Sequence, residues 1–75
     1  MDELLEILKK IKPGVDFEHE TGLVEKRILD SMSIIRLVSA LNNAFDIEIQ
    51  VTDLVPENFE SAASIMALVE RLEDE

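Results

Sequence analysis

An apolar stripe over residues 31–45 places the tightest limit on how this chain can fold. Apolar side chains recur there at i, i+3, i+4, i+7 and i+11, namely Ile34, Leu37, Val38, Leu41 and Phe45. This spacing puts them on one face of an α-helix and predicts that the face packs against a core. Asp30 or Ser31 can cap the start of this helix, since both side chains accept hydrogen bonds from backbone N–H groups.

Two further segments carry the same period. Residues 2–12 predict a first helix that begins near Asp2, carries cations in its last turn and ends at Pro13-Gly14. Its apolar stripe comprises Leu4, Leu5, Leu8 and Ile11, with Ile7 beside them. Residues 62–72 predict a last helix capped by Ser61. Its inward side chains are Ala62, Ile65, Val69 and Leu72, with Met66 and Leu68 at the flanks.

The connecting segments lack a sustained period. Residues 13–30 predict a long loop packed down by its own apolar side chains, with a short turn of helix near 23–26. Residues 46–49 alternate like a strand but have no partner strand, so we interpret them as an extended connector whose Ile47 and Ile49 fill the core. Residues 52–55 predict a short helix or turn, and 57–59 a loop with a buried Phe59. The fold class is therefore all-α: three main helices plus one short helix in a small antiparallel-type bundle with a long first loop.

A chain of 75 residues predicts a single domain, residues 1–75. It contains no cysteine, which excludes disulfides and thiolate metal sites. The acidic start at Met1-Asp2-Glu3 predicts no signal peptide, and no apolar run is long enough for a membrane span. We therefore expect a complete stand-alone chain, from Met1 to Glu75, that works as a cytoplasmic monomer.

The net charge limits the partners. Seven Lys and Arg against 17 Asp and Glu give a formal charge of −10, which disfavours nucleic acid and anionic membranes. A basic protein surface fits this charge, and long-range attraction would speed the encounter. The same charge would also follow if it served only to keep the chain soluble.

Enzymatic and metal-binding functions find little support. His19 is the single histidine, and Gly14 and Gly22 do not form a phosphate-binding loop. Asp16, Glu18 and Glu20 alternate as in a calcium loop, but Thr21 stands where the turn glycine belongs and Arg27 where the bidentate glutamate belongs. Glu18-His19-Glu20 offers too few nitrogen ligands for zinc. We predict neither an enzyme nor a specific metal site.

Asp30-Ser31-Met32 is the remaining candidate site. A serine at a helix start points its hydroxyl outward, where backbone N–H groups favour an attached phosphate. Asp30 opposes that phosphate electrostatically, but it can help an installing enzyme to hold a divalent metal on a diphosphate donor. Taken alone, so common a motif favours an ordinary N-cap residue.

The surrounding sequence resembles the acyl carrier protein family. In that family a Leu-(Gly or Leu)-X-Asp-Ser-(Leu or Met) segment opens the second helix, and here Asp30-Ser31-Met32 carries the same Asp-Ser-(Leu or Met) end after Ile28-Leu29. The helix then runs to a Phe-(Gly or Asp)-Ile-X-Ile end, matched by Phe45 to Ile49. The resemblance extends over nearly the whole chain, including Val15-Asp16-Phe17 in the first loop and Asp53-Leu54 before the last helix.

This resemblance implies a carrier rather than a catalyst. A phosphopantetheinyl transferase would attach 4'-phosphopantetheine to Ser31, with Asp30 supporting the transfer and Met32 beside the arm. The arm would then hold an acyl or aminoacyl group as a thioester between an activating ligase and a downstream acyltransferase or synthase. The biosynthesis of fatty acids, polyketides or nonribosomal peptides is the general setting. The helix from Ser31 would be the docking surface, formed by Met32, Ile35, Arg36 and Ser39.

One difference from the fatty-acid carriers narrows the choice among members of this family. Fatty-acid carriers place several acids on the exposed face of this helix, whereas residues 31–45 contain no acid and one base, Arg36. This difference argues against a fatty-acid role, and the Ile28–Ser31 and Pro56–Ser61 segments resemble those of stand-alone carriers of the D-alanyl or aminoacyl kind. The alternative function is an unmodified acidic helical adaptor that docks to a basic partner protein.

Overall fold

The computed structural model describes residues 2–74 as three α-helices: α1 (Asp2–Ile11), α2 (Ser31–Phe45) and α3 (Ala62–Glu73). Two short 3-10 helices, Val51–Asp53 and Pro56–Phe59, lie between α2 and α3. No strand occurs in residues 2–74, so the all-α prediction is confirmed, with two 3-10 helices where one short helix was expected. Met1 and Glu75, the ends of the predicted domain, lie outside the described residues. None of the helices within 2–74 is long and apolar enough to cross a membrane.

The core is built from the predicted stripes of all three helices. Its buried helical side chains are Leu4, Leu8, Leu37, Leu41, Ala62, Ile65, Leu68 and Val69. Leu68 was predicted at the flank of α3, but it is 1% exposed because it lies three residues after Ile65 and shares the buried face. Fully burying one such side chain stabilises the fold by about 1.5–3 kcal/mol, so these residues dominate the stability of so short a chain.

The long first loop is packed down, as predicted. Phe17, Leu23 and Leu29 are each no more than 3% exposed. The backbone N–H of Leu23 donates to the carbonyl of Glu60 at 2.9 Å, which fastens the loop to the segment before α3. The expected turn near 23–26 is a single α-type turn, in which the Lys26 N–H donates to the Gly22 carbonyl at 2.8 Å.

Asn42 fixes the chain as it leaves α2. Asp46 adopts a left-handed conformation (φ 54°), and its N–H donates to the Asn42 carbonyl. The Asn42 side-chain oxygen accepts the Ile49 N–H at 2.9 Å. Ile49 is thereby held in the core at 8% exposure, which confirms the extended connector, and Ile47 is half-buried against it.

α1 and α2 pack against each other. Glu3, Ile7 and Lys10 line one groove with Ala40 and Ala44, so α1 lies along the second half of α2.

Candidate functional site

Asp30, and not Ser31, is the N-cap of α2. Its backbone is extended (φ −89°, ψ −179°), and its Oδ1 accepts the backbone N–H of Ser33 at 2.9 Å. The Asp30 carbonyl accepts the Ile34 N–H at 2.9 Å, which starts the helical ladder. The choice between Asp30 and Ser31 as the cap is thus decided for the aspartate.

Ser31 is exposed and is the first residue of α2. Within residues 2–74 its hydroxyl makes no hydrogen bond, since the capping role belongs to Asp30. The backbone N–H groups of the first helical turn have no acceptor inside the helix and point toward the same end. An exposed hydroxyl beside such donors fits a phosphate ester, because the ester adds negative charge at the positive end of the helix dipole.

Asp30 is a charged carboxylate at neutral pH. The Ser33 backbone N–H holds the pKa of Asp30 below its ordinary value of 3.8, with a further hydrogen bond from the Ser33 side chain. Lys12 and Arg36 lower the same pKa through their positive charge. The exposed carboxylate therefore combines a capping role with a negative charge next to Ser31.

The side chains predicted to dock a partner share one exposed face. Met32 and Ile35 are 61% and 62% exposed, and Arg36 and Ser39 are also exposed. Their spacing of i, i+3, i+4 and i+7 places them along one side of α2. Two large apolar side chains kept in solvent beside Ser31 are typical of an interaction surface.

Two further apolar residues lie partly in solvent and were not predicted from the sequence as part of a surface. Leu54 and Val55 are 42% and 40% exposed, and they line an apolar hollow of about 90 Å³ with Ile34 and Phe59. The signal was present as two consecutive apolar residues directly before Pro56.

Lys12 is a further residue that sequence reasoning did not connect with Asp30. Its N–H donates to the Leu8 carbonyl at 2.9 Å, so it continues the last turn of α1. Lys12 is half-buried, and its positive charge is one of the causes that lower the pKa of Asp30.

His19 does not belong to this site. Its Nδ1 lies 2.8 Å from Asp16 Oδ2, and its side chain is 78% exposed. The hydrogen bond to the Asp16 carboxylate raises the pKa of His19. It lines a cleft with Ser61 and Ala62 at the start of α3. Across the described part of the chain, 2–74, no three acidic or histidine side chains are grouped to hold a metal ion.

Known proteins match this chain over almost its full length. A family described as "Phosphopantetheine attachment site" matches residues 2–72. A D-alanyl carrier protein of Lactococcus lactis subsp. lactis is 30% identical over 76 residues, which covers 99% of this chain and 96% of the relative. The D-alanyl carrier protein of Lactococcus lactis subsp. cremoris is 32% identical over the same coverage. A probable acyl carrier protein, PigG, of a Serratia species is 38% identical over 61 residues, 81% of this chain and 68% of the relative.

Proposed function

We propose that Ser31 is the residue that receives the 4'-phosphopantetheine arm. The chain belongs to the family of carrier proteins with a phosphopantetheine attachment site. Members of this family are carriers and not catalysts, and they hold 4'-phosphopantetheine covalently on a serine. The observation that carries the assignment is the exposed Ser31 hydroxyl, which is left without a capping role because Asp30 fills it. The bound arm supplies a flexible thiol to which an acyl or aminoacyl group is linked as a thioester.

The residues around Ser31 fit the attachment reaction. Ser31 Oγ forms the new bond to phosphorus and gives up its proton to the transferase, while the adenosine bisphosphate portion of coenzyme A leaves. Asp30 stands beside the hydroxyl as a carboxylate, the form that assists in holding a divalent metal on the donor diphosphate. The N-terminal N–H groups of α2 favour the negative charge that the ester adds.

The cargo is proposed to be a D-alanyl or other aminoacyl group. Two relatives that the chain covers almost completely are named D-alanyl carrier proteins. The docking face agrees with a specialised set of partners, since α2 carries no acid and presents Met32, Ile35 and Arg36 to solvent. An amino-acid-activating ligase would load the arm, and a downstream acyltransferase or synthase would receive the cargo.

Partners would dock on the exposed face of α2. Met32 and Ile35 supply the apolar contact, Arg36 and Ser39 the polar rim, and Met32 lies next in sequence to the arm's serine. Apolar side chains surrounded by polar ones are the usual composition of a protein interface. The phosphopantetheinyl transferase would use the same face, because it must reach Ser31.

Loading by a transferase tests the assignment directly. The purified chain is incubated with coenzyme A and a broad-specificity phosphopantetheinyl transferase, and its mass is measured. The expected result is the gain of one phosphopantetheine group by the native chain and by Ser61→Ala, a matched control at the start of α3, but not by Ser31→Ala. An unchanged mass of the native chain, while a known carrier is modified in parallel, would favour the unmodified adaptor instead.

A further inference from the structure

The sulfur chemistry of this chain is confined to thioethers. The sequence contains no cysteine, tryptophan or tyrosine, and its three methionines are Met1, Met32 and Met66. Methionine sulfur is therefore the side-chain group that a mild hydroperoxide oxidises most readily in this chain. Met1 lies outside the described residues, so the comparison that the structure supports is between Met32 and Met66.

Met32 and Met66 differ in their access to solvent. Met32, in the first turn of α2, is 61% exposed and directly follows Ser31. Met66, in α3, is half-buried and packs against the core. A dissolved oxidant reaches the exposed thioether first, because susceptibility to oxidation follows exposure. Met32 is thus the accessible sulfur beside the proposed attachment site.

Oxidation would change a side chain on which docking depends. Met32 and Ile35 are the large apolar side chains that α2 holds in solvent, and they supply the apolar contact of the proposed docking face. A sulfoxide oxygen makes the methionine side chain polar. A docked partner would remove water from that oxygen, and a polar group buried without a hydrogen bond costs free energy. Docking would therefore weaken, whereas the free chain would keep its fold, because there the oxygen stays in water.

We propose that Met32 is a site of reversible oxidation that switches partner docking off. A hydroperoxide transfers its terminal oxygen to the Met32 sulfur: the O–O bond breaks, an S–O bond forms, the sulfur gives up two electrons, and the peroxide leaves as an alcohol or as water. A methionine sulfoxide reductase reverses the step with two electrons from a dithiol, and the oxygen leaves as water. The inference rests on docking at α2 and goes beyond it, because it makes arm attachment sensitive to oxidants.

The test compares arm attachment before and after oxidation. The unloaded chain is used, because the thiol of a bound arm would itself be oxidised. The native chain, Met32→Leu and the matched control Met66→Leu are treated with hydrogen peroxide, freed of it, and given coenzyme A and a phosphopantetheinyl transferase. Peptide mass mapping of the native chain should show a sulfoxide at Met32 before one at Met66.

The expected kinetic result is a loss that follows Met32. The oxidised native chain and oxidised Met66→Leu should each lose about 3–10-fold in kcat/KM relative to their own untreated forms, as for a weakened interface contact. Met32→Leu should lose almost nothing on treatment, since leucine has no sulfur to oxidise. Because each variant is compared with itself, any effect of the substitution cancels.

Two further measurements keep the test decisive. Sulfoxide reductases for both sulfoxide epimers, with a dithiol, should restore the rate of the oxidised native chain. The Tm of the Met32 sulfoxide form should stay close to that of the untreated chain. Oxidation of Met66 ahead of Met32, a Met32 sulfoxide with an unchanged attachment rate, or a loss of rate that comes with a fall in Tm would overturn the inference while leaving attachment intact. Failure of the untreated native chain to gain mass would instead overturn attachment at Ser31, and the inference with it.

Discussion

α2 and α3 both begin at an N-cap residue whose side-chain oxygen accepts a backbone N–H, but the serine at each start has a different role. At α3 the hydroxyl of Ser61 accepts the Ser64 N–H at 3.1 Å, so the serine itself is the cap. At α2 the Asp30 carboxylate accepts the Ser33 N–H at 2.9 Å, and Ser31 follows it with its hydroxyl unused by the cap. The comparison teaches that the residue before a serine can decide whether its hydroxyl is structural or available for chemistry.

The two helix starts also differ in what covers them. Ala62 and Ile65 in the first turn of α3 are 5% and 0% exposed, and Phe17 of the first loop lines a cleft with Ala62. The corresponding part of α2 leaves Met32 and Ile35 in solvent. Stability is therefore concentrated at the start of α3, and accessibility at the start of α2.

The largest expected effect on the free energy of unfolding comes from removing the buried side chain of Phe17. Phe17→Ala should lower the free energy of unfolding by about 3–5 kcal/mol, because it empties a buried aromatic site. Met32→Ala, which removes an apolar side chain from the exposed turn of α2, should change it by less than about 0.5 kcal/mol. Urea unfolding measures both. Similar losses from the two substitutions would show that the two helix starts do not differ in packing.

A smaller effect on the free energy of unfolding distinguishes Ser61 from Ser31. Ser61→Ala should cost about 1 kcal/mol, since the Ser64 N–H loses its cap. Ser31→Ala should stay within about 0.5 kcal/mol of the native chain, because its hydroxyl caps nothing. Thermal unfolding of the two variants side by side checks this, and a loss in Ser31→Ala equal to that in Ser61→Ala would contradict the assignment of Asp30 as the cap.

The smallest effect depends on pH and distinguishes a charged cap from a neutral one. Asn retains the capping oxygen, so Asp30→Asn removes only the charge. The pKa of Asp30 is lowered in the folded chain, so its charge stabilises the fold above the ordinary value of 3.8, and this contribution is lost as the pH falls through the lower folded pKa. The Tm of Asp30→Asn should therefore lie below that of the native chain at pH 7 and approach it as the pH falls below 3.8. The deficit of Ser61→Ala should persist, because a hydroxyl cap does not titrate in this range.

The sequence predicted the elements that carry a sustained period. α2 was predicted at residues 31–45 and lies at Ser31–Phe45, because five apolar residues on one face leave little freedom in its placement. Residues 57–59 were predicted as a loop but belong to the 3-10 helix Pro56–Phe59, since four residues are too few to show a period. The prediction of a buried Phe59 was nevertheless confirmed, at 1% exposure.

The candidate site was predicted only as far as neighbours in sequence define it. Asp30, Ser31 and the exposed face of α2 follow from one continuous helix, and their exposure agrees with the prediction. Which residue caps the helix depended on backbone geometry that Asp and Ser satisfy equally well in a sequence. The effect of the Lys12 charge on the pKa of Asp30 lay beyond prediction, because it depends on how the segments pack in the folded chain.

The division of labour between Asp30 and Ser31 has a consequence for the life of the protein in the cell. Proteases degrade a small domain through its unfolded fraction, and that fraction follows the free energy of unfolding. Because the hydroxyl that would be esterified supports no part of the fold, chains awaiting their arm should be as long-lived as loaded ones. Cellular proteases would then degrade loaded and unloaded chains at the same rate. The amount of loaded carrier would depend on the transferase alone.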